Sequence, residues 1–273
     1  MQWELPGRLG PDPGRYVVRR HAGAEADRVV VIGGLDAPRR TRFGGRRARA
    51  GETGPAPVEV TRATVAAADA LDGDAAAEAW LKTADDATVT AGLAVLNRAL
   101  HARRIAAADP YAGEVAAHHA VATRVGYGTG EEVADGLWTA AREMPGARQR
   151  IARESALRPQ ERFAALLAGR DAALASELLA LRARLDLDHA RDREAALQLE
   201  GALGAAIAEL EGWREQSGMP ERLDELRALA PEVADAADAA RAGALDEAAR
   251  DVVAAALGRL EAAHRARTAR AQF

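Results

Sequence analysis

The chain of 273 residues contains no cysteine. Disulfide bridges, thiolate metal sites and cysteine nucleophiles are therefore excluded. Lysine occurs only once, at Lys82, within Leu-Lys-Thr and with no glycine-rich loop before it. A P-loop needs a lysine directly after such a loop to reach the nucleotide phosphates, so P-loop chemistry is excluded as well.

Asparagine and serine are almost as scarce. Asn97 is the only asparagine, and its surroundings do not match a protein-kinase catalytic loop. The serines are Ser155, Ser176 and Ser217, and none lies in the Gly-x-Ser-x-Gly motif of serine hydrolases. A serine hydrolase is not favoured, although the members of a catalytic triad can come from distant parts of a chain.

Aromatic residues make up only 4% of the chain, whereas hydrophobic residues make up 48%. The core must therefore consist of Leu, Val and Ala, and Ala is the strongest helix former. No run resembles a secretory signal or approaches the ~18–20 apolar residues of a membrane span. We expect a cytoplasmic, mainly α protein with no membrane partner. Arginine supplies all but one of the basic residues, a bias typical of GC-rich bacterial genomes.

The first 66 residues are expected to form a small antiparallel β segment of about three strands. Residues 15–20 and 28–32 are rich in β-branched side chains and are close enough together for a hairpin. Residues 58–61 alternate apolar and polar side chains, as a half-buried strand does. Residues 36–57, between the second and third strands, are rich in Gly, Pro and Arg and are predicted to be an exposed loop.

Beyond residue 66 the hydrophobic period changes from two to about three and a half residues, which predicts an all-helical body. Its expected domains are residues 67–156 and 157–273, and a single domain over 67–273 stays open. The helices predicted in the first part cover residues 74–83, 87–105 and 110–125, and a further helix follows a Thr129/Glu132 capping box. The glycine-rich residues 126–130 are interpreted as a turn between helices.

The second part of the body is predicted to contain a long antiparallel helical hairpin. Its arms are residues 159–187 and 189–213, whose leucines recur every three or four positions, and a short turn joins them. Three more helices are predicted, over residues 221–229, 232–241 and 245–270.

Residues 193–203 and 243–257 resemble the second helix of a tetratricopeptide repeat. Their matching alanines, Ala195 and Ala248, lie 53 positions apart instead of about 34. The Trp, Leu-Gly and Tyr of the first helix of that repeat are also missing. The resemblance implies a helical module for protein–protein interaction or scaffolding, which stays open as an alternative function.

Histidine and carboxylate pairs remain as possible catalytic or metal-binding groups. His118 and His119 are adjacent, so they point about 100° apart on a helix and cannot bind one ion together. Glu261 and His264 have the Glu-x-x-His spacing of di-iron bundles, but such a site needs a second copy of the motif. We expect no metal and no cofactor. An enzyme with an unrecognised carboxylate/His site stays open as a second alternative.

The net charge of -4 conceals a basic N-terminal part. Residues 1–62 contain 12 arginines and seven acidic residues, whereas the remainder contains 25 basic and 34 acidic residues. Six arginines and no acidic residue lie within residues 39–49, which we call the arginine-rich segment. The candidate site residues in it are Arg39, Arg40, Arg42, Phe43, Arg46, Arg47 and Arg49.

The composition of the arginine-rich segment favours phosphate binding. Guanidinium groups bind phosphates with two parallel hydrogen bonds, and an aromatic ring such as that of Phe43 can stack on a base. The sequence therefore favours a non-enzymatic accessory protein that binds the RNA or DNA backbone, or another acidic surface. The alternatives are a partner protein bound through the helical hairpin, and a segment that is only solvated.

Overall fold

The computed structural model describes residues 1–35, 58–145 and 159–270. Within these ranges the chain is mainly helical, with seven α-helices and one six-stranded antiparallel sheet. It divides into two compact units, residues 1–148 and 149–273. The sheet and two helices belong to the N-terminal unit, and five helices belong to the C-terminal unit. None of the described helices combines the length and apolarity needed to cross a bilayer.

The sheet of the N-terminal unit has the strand order β2-β3-β4-β1-β5-β6, and each neighbouring pair is antiparallel. Its strands are β1 (Gln2–Pro6), β2 (Gly14–Val18), β3 (Arg28–Leu35), β4 (Val60–Ala67), β5 (Ala122–Tyr127) and β6 (Ala140–Glu143). The first strand in the sequence is therefore an interior strand of the sheet.

Strand β1 is buried on both faces at its start. On one face Trp3 is fully buried within the apolar core. On the other face the Gln2 side-chain amide donates to Thr64 Oγ1 at 2.9 Å and to the carbonyl oxygens of Val133 and Ala134 at 3.3 Å. Because adjacent strand residues point to opposite faces, one dipeptide joins the sheet to layers on both sides.

Two helices follow β4, namely α1 (Asp74–Thr83) and α2 (Asp86–Ala107). Their bounds confirm the helices predicted over residues 74–83 and 87–105. Asp85 caps α2, because its Oδ1 accepts the Thr88 amide at 2.9 Å and the Thr88 hydroxyl accepts the Asp85 amide at 3.2 Å. The buried face of α2 contributes Val89, Leu93, Leu96 and Leu100 to the core that contains Trp3.

The prediction of about three strands is wrong, because the sheet has six. Strands β5 and β6 also show that the part of the chain beyond residue 66 is not all-helical. The helix predicted over residues 110–125 is replaced by irregular chain, a short 3-10 turn and β5. The helix predicted after Thr129 is replaced by a 3-10 turn, Gly130–Asp135, and by β6.

Asn97 explains part of the error over residues 110–125. This buried side chain on α2 donates to the carbonyl oxygen of Val115 and accepts the amide of Val115, both at 2.9 Å. The backbone of Val115 therefore has no need of the hydrogen bonds that a helix would supply. The following residues then complete their backbone hydrogen bonds by pairing with β1, a partner about 120 positions away that a local pattern cannot reveal.

The C-terminal unit is built on an antiparallel helical hairpin. Its helices are α3 (Pro159–Leu167), α4 (Ala175–Asp188), α5 (Asp192–Glu209), α6 (Met219–Arg241) and α7 (Glu247–Arg270). The hairpin of α4 and α5 was predicted from the leucine pattern and is confirmed. Ala and Leu dominate the buried positions, so the helices approach closely around small side chains.

Two predicted helix boundaries in the C-terminal unit are wrong. The arm predicted over residues 159–187 is two helices, since α3 ends at Leu167 and Gly169 adopts a φ of 69° that a continuing helix does not allow. Conversely, residues 221–229 and 232–241 belong to one helix, α6, with Pro231 inside it. Proline removes one helical hydrogen bond, and here the buried face of α6 maintains the helix.

Two glycines on helices offer a matched test of packing. A Cβ added at Gly92 of α2 would lie 2.9 Å from the Trp3 ring and would also contact the Met1 side chain, whereas one added at Gly204 of α5 would meet nothing within 4 Å. We expect Gly92→Ala to destabilise the N-terminal unit by about 1–3 kcal/mol through overpacking. Gly204→Ala should stabilise the C-terminal unit by up to about 1 kcal/mol.

Urea unfolding followed by hydrogen exchange in peptides of each unit measures both changes. An equal response to the two substitutions would show that α2 does not pack closely on Trp3.

Candidate functional site

The predicted site residues lie outside the described residues, namely Arg39, Arg40, Arg42, Phe43, Arg46, Arg47 and Arg49. The structure does describe the strands on either side of them. Strand β3 ends at Leu35 and β4 begins at Val60, and these two residues are directly paired. The arginine-rich segment is therefore inserted between neighbouring strands at one end of the sheet.

The charges on the polar face of this sheet are matched within the sheet. Glu4 Oε1 lies 2.7 Å from Arg124 Nη1 and 3.8 Å from Arg62 Nη2. Arg124 Nη2 lies 3.8 Å from a carboxylate oxygen of Glu143. Near the start of β4, Glu59 accepts a hydrogen bond of 2.9 Å from Arg8. These arginines stabilise the fold and are not free to bind an external anion.

The C-terminal unit contains a set of buried ions that we call the buried charge cluster, formed by Arg162, Asp171, Glu177 and Arg267. The Arg267 side chain is only 3% exposed, and its Nη2 lies 2.5 Å from Asp171 Oδ1. Its Nη1 lies 3.3 Å from Glu177 Oε1. Arg162 Nη2 donates to both oxygens of Glu177 at 2.7 Å, and its Nε donates to Asp171 at 3.1 Å. The cluster joins α3, the α3–α4 turn, α4 and α7.

A serine–histidine pair lies beside this cluster. Ser176 Oγ and His264 Nε2 are 2.9 Å apart. A nucleophile must reach its substrate, but Ser176 is fully buried and His264 is 8% exposed. Glu209, the nearest carboxylate on α5, accepts the backbone amides of Ala175 and Ser176 at 2.9 and 3.1 Å. The trio therefore caps the start of α4 and does not form an accessible catalytic triad.

Burial and ion pairing shift the pKa values of this region. Burial lowers the pKa of His264, against the opposing attraction of the Glu177 and Glu209 carboxylates. Burial alone would raise the pKa of Asp171, but hydrogen bonds from Arg162 and the Ala172 amide hold it below its ordinary value. At neutral pH the cluster therefore contains charged carboxylates beside an uncharged histidine.

The described residues contain no group of three or more His, Asp or Glu side chains arranged to hold a metal ion. The Glu-x-x-His pair considered from the sequence is divided between two partners, because Glu261 binds Arg184 at 2.8 Å and His264 contacts Ser176. His118 lies on a short 3-10 turn, with its ring centroid 4.4 Å from that of His119.

An exposed apolar surface lies on the helical hairpin, and we call it the α4–α5 face. It consists of Leu178, Leu181 and Leu185 on α4, which are 53%, 68% and 39% exposed, and of Leu197 on α5, which is 38% exposed. Gly201 and Gly204 continue the exposed side of α5 beyond Leu197. No large apolar side chain of α6 or of the described part of α7 is similarly exposed.

Sequence reasoning did not bring the members of these sites together. Ser176 and His264 are separated by 88 positions, and Arg267 lies 96 positions from Asp171. The Leu178, Leu181 and Leu185 pattern was recognised as part of a helical stripe, but it was interpreted as buried. The distribution of exposure around α4 becomes visible only in the structure.

Acid should weaken the C-terminal unit before it weakens the buried ion pairs. The unfolded chain protonates His264 at its ordinary pKa of 6.5, whereas the folded protein binds that proton only at lower pH. The unfolded state therefore binds more protons below pH 6.5, and the free energy of unfolding falls as pH decreases towards the lowered folded pKa. Substituting His264→Gln should remove this part of the pH dependence.

Urea unfolding of the intact chain between pH 7.5 and 5, followed by hydrogen exchange in α4 and α7, measures this dependence. The control is His21→Gln, since His21 is exposed and belongs to the N-terminal unit. An unchanged pH slope in His264→Gln would contradict the assignment.

No family model matches this chain, and no curated protein or solved structure matches it either. The tetratricopeptide resemblance therefore stays a prediction, with residues 193–203 on α5 and residues 243–257 at the start of α7 and just before it. Function has to be argued from the chemistry of the residues.

Proposed function

We propose that this chain is a non-enzymatic accessory protein that binds the phosphate backbone of nucleic acid through the arginine-rich segment. The observation that carries the proposal is the presence of six arginines and no acidic residue within residues 39–49. Each guanidinium can form two parallel hydrogen bonds with a phosphate, and neutralising several phosphates releases condensed counterions. Phe43 adds a ring that can stack on an unpaired base.

The ion pairing of other arginines supports this proposal. In the C-terminal unit, arginines are matched to nearby acids, as in the pairs of Arg191 with Asp186 at 2.6 Å and Arg250 with Asp192 at 3.1 Å. The arginine-rich segment contains no acidic residue of its own to serve in that way. An external polyanion would supply the missing negative charge.

The position of the segment in the chain also supports the proposal. The pairing of β3 with β4 extends through Leu35 and Val60, so the segment begins and ends next to ordered strands. Val30 and Ile32 of β3 are buried in the core, which fixes that strand in the sheet. The sheet thus supplies a stable base for a basic element.

Nucleic-acid binding should depend on the segment and on salt. We expect single-stranded RNA to bind at about 50 mM salt and to dissociate as salt rises, because binding releases counterions. Replacing Arg39, Arg40, Arg46 and Arg47 by Ala should weaken binding and reduce its salt dependence by about 0.7 log units per lost phosphate contact. Fluorescence anisotropy at several salt concentrations measures both quantities.

The matched control removes four exposed arginines elsewhere, at Arg103, Arg170, Arg182 and Arg265. It changes the net charge equally, so equal weakening by the two quadruple variants would argue for a general charge effect and against this segment. Phe43→Ala separates stacking from charge, since it should weaken single strands but leave duplex binding unchanged. No measurable binding at about 50 mM salt would refute the proposal.

The α4–α5 face supports a second candidate function, the binding of an amphipathic helix of a partner protein. Leu178, Leu181 and Leu185 recur at spacings of three and four residues, which presents one apolar stripe along α4. The glycines of α5 lack side chains that would keep a second helix away. Helix-in-groove recognition relies on such apolar positions and on close approach.

Charged substitutions on the α4–α5 face test this second function without entering the core. We expect a chain with Leu178→Glu and Leu181→Glu to fold normally and to lose a helical partner that the unsubstituted protein binds, by about 10-fold or more. The control is Leu167→Glu on α3, which is 74% exposed and lies outside the α4–α5 face. Affinity can be measured by titrating the partner identified by cross-linking at Arg182→Cys.

Two results would contradict the second function. One is a partner that binds the doubly substituted chain as tightly as the unsubstituted protein. The other is concentration-dependent dimerisation that the two substitutions abolish, because the face would then serve a second copy of this chain.

A further inference from the structure

A cavity of about 710 Å³ lies within the N-terminal unit. Its walls come from the end of β4 and the residues that follow it, from α1, from the start of α2, and from the chain between β5 and β6. This volume falls within the range of small-molecule sites, roughly 300–1,000 Å³. The cavity belongs to neither the arginine-rich segment nor the α4–α5 face.

Small residues account for the space in this part of the unit. Alanines and glycines occupy much of the lining, including Ala66, Ala70, Ala77, Ala91 and Gly73. Larger side chains at these positions would occupy the volume that is now open. The space is therefore a consequence of the sequence and not only of the outline of the surface.

Three aromatic side chains line this cavity, namely Trp80, Tyr127 and Trp138. The whole chain contains only 10 aromatic residues, so their meeting at one cavity is a marked local concentration. All three are half-buried. Within the described ranges, the indole N–H groups and the Tyr127 hydroxyl have no hydrogen-bond partner, which leaves them available to a ligand.

The free charges at this cavity are negative. Asp69 and Asp74 line it, both are exposed, and neither carboxylate is bonded to any residue that the structure describes. Arg28 also lines it, but its Nη1 is engaged by the Asp27 carbonyl oxygen at 2.7 Å and by Asp27 Oδ1 at 2.8 Å. The Met1 α-amino group donates to the Val65 carbonyl oxygen at 2.9 Å, and burial lowers its pKa to about 6.

We propose that this cavity binds an organic cation, an amine or quaternary ammonium compound with an apolar body. The faces of Trp and Tyr rings attract a cation through their quadrupole, and the carboxylates add a direct charge interaction. The alanine walls accept the apolar body. An anionic ligand would face two free carboxylates and no free guanidinium.

The alternative explanation is an unfilled surface depression without ligand preference. It predicts that the cavity does not discriminate between ligands of similar size and different charge. It also predicts that removing one ring or one carboxylate changes nothing. Both differences can be measured directly.

Isothermal titration of the full chain with benzyltrimethylammonium, phenylacetate and benzyl alcohol tests the proposal. We expect benzyltrimethylammonium to bind at least about 10-fold more tightly than the other two. Trp138→Leu should weaken it about 3- to 30-fold, in line with the loss of one cation–π contact. Substituting Asp69→Asn and Asp74→Asn together should weaken it further and reduce its salt dependence.

The controls preserve the fold and lie outside the cavity. Asp72→Asn changes an exposed carboxylate between the two acids, and Tyr111→Leu removes an aromatic ring that is 94% exposed. Because the aspartates are exposed, their substitution leaves the core intact even if Trp138→Leu does not fold. Equal affinity for all three compounds, absence of cation binding up to about 10 mM, or equal weakening by the control variants would overturn the proposal.

Discussion

The pairing of β1 with both β4 and β5 is the interaction on which the N-terminal unit depends. It joins the β2-β3-β4 part of the sheet to the β5-β6 part, and no other strand contacts both. Trp3 and Gln2 reinforce it on opposite faces, one with apolar packing and the other with hydrogen bonds. Because β5 follows β1 by more than 100 residues, this sheet is completed only after most of the unit has been synthesised.

The C-terminal unit solves a different problem, which is to position helices whose contacts are mostly Ala and Leu. Such surfaces are similar to one another and allow neighbouring helices to slide. The buried charge cluster restricts this freedom, since Arg267 can satisfy its hydrogen bonds only when α7 lies correctly against α4 and the α3–α4 turn. Removing one member would leave its partners charged and buried, which is far more costly than losing a surface ion pair.

The features that were predictable from the sequence are those determined by nearby residues. The capped start of α2 and the alternating leucines of the α4–α5 hairpin depend on neighbours within a few positions, and both were recognised. Strands β1, β5 and β6 depend on partners far along the chain, so a local pattern could not distinguish β5 from a helix. The sites show the same division, because the arginine-rich segment is local, whereas the meeting of Trp80, Tyr127 and Trp138 at one cavity is a product of the fold.

Within the buried charge cluster, the guanidinium carbon of Arg267 lies 4.5 Å from the centre of the Trp213 ring. The other three tryptophans belong to the N-terminal unit, so Trp213 is the sole indole of the C-terminal unit. A cation against an indole alters its emission, and the signal changes when the two groups separate. Replacement of the other tryptophans would therefore turn Trp213 into a built-in fluorescent reporter of one unit, which would allow the opening of the two units to be timed separately without an attached dye.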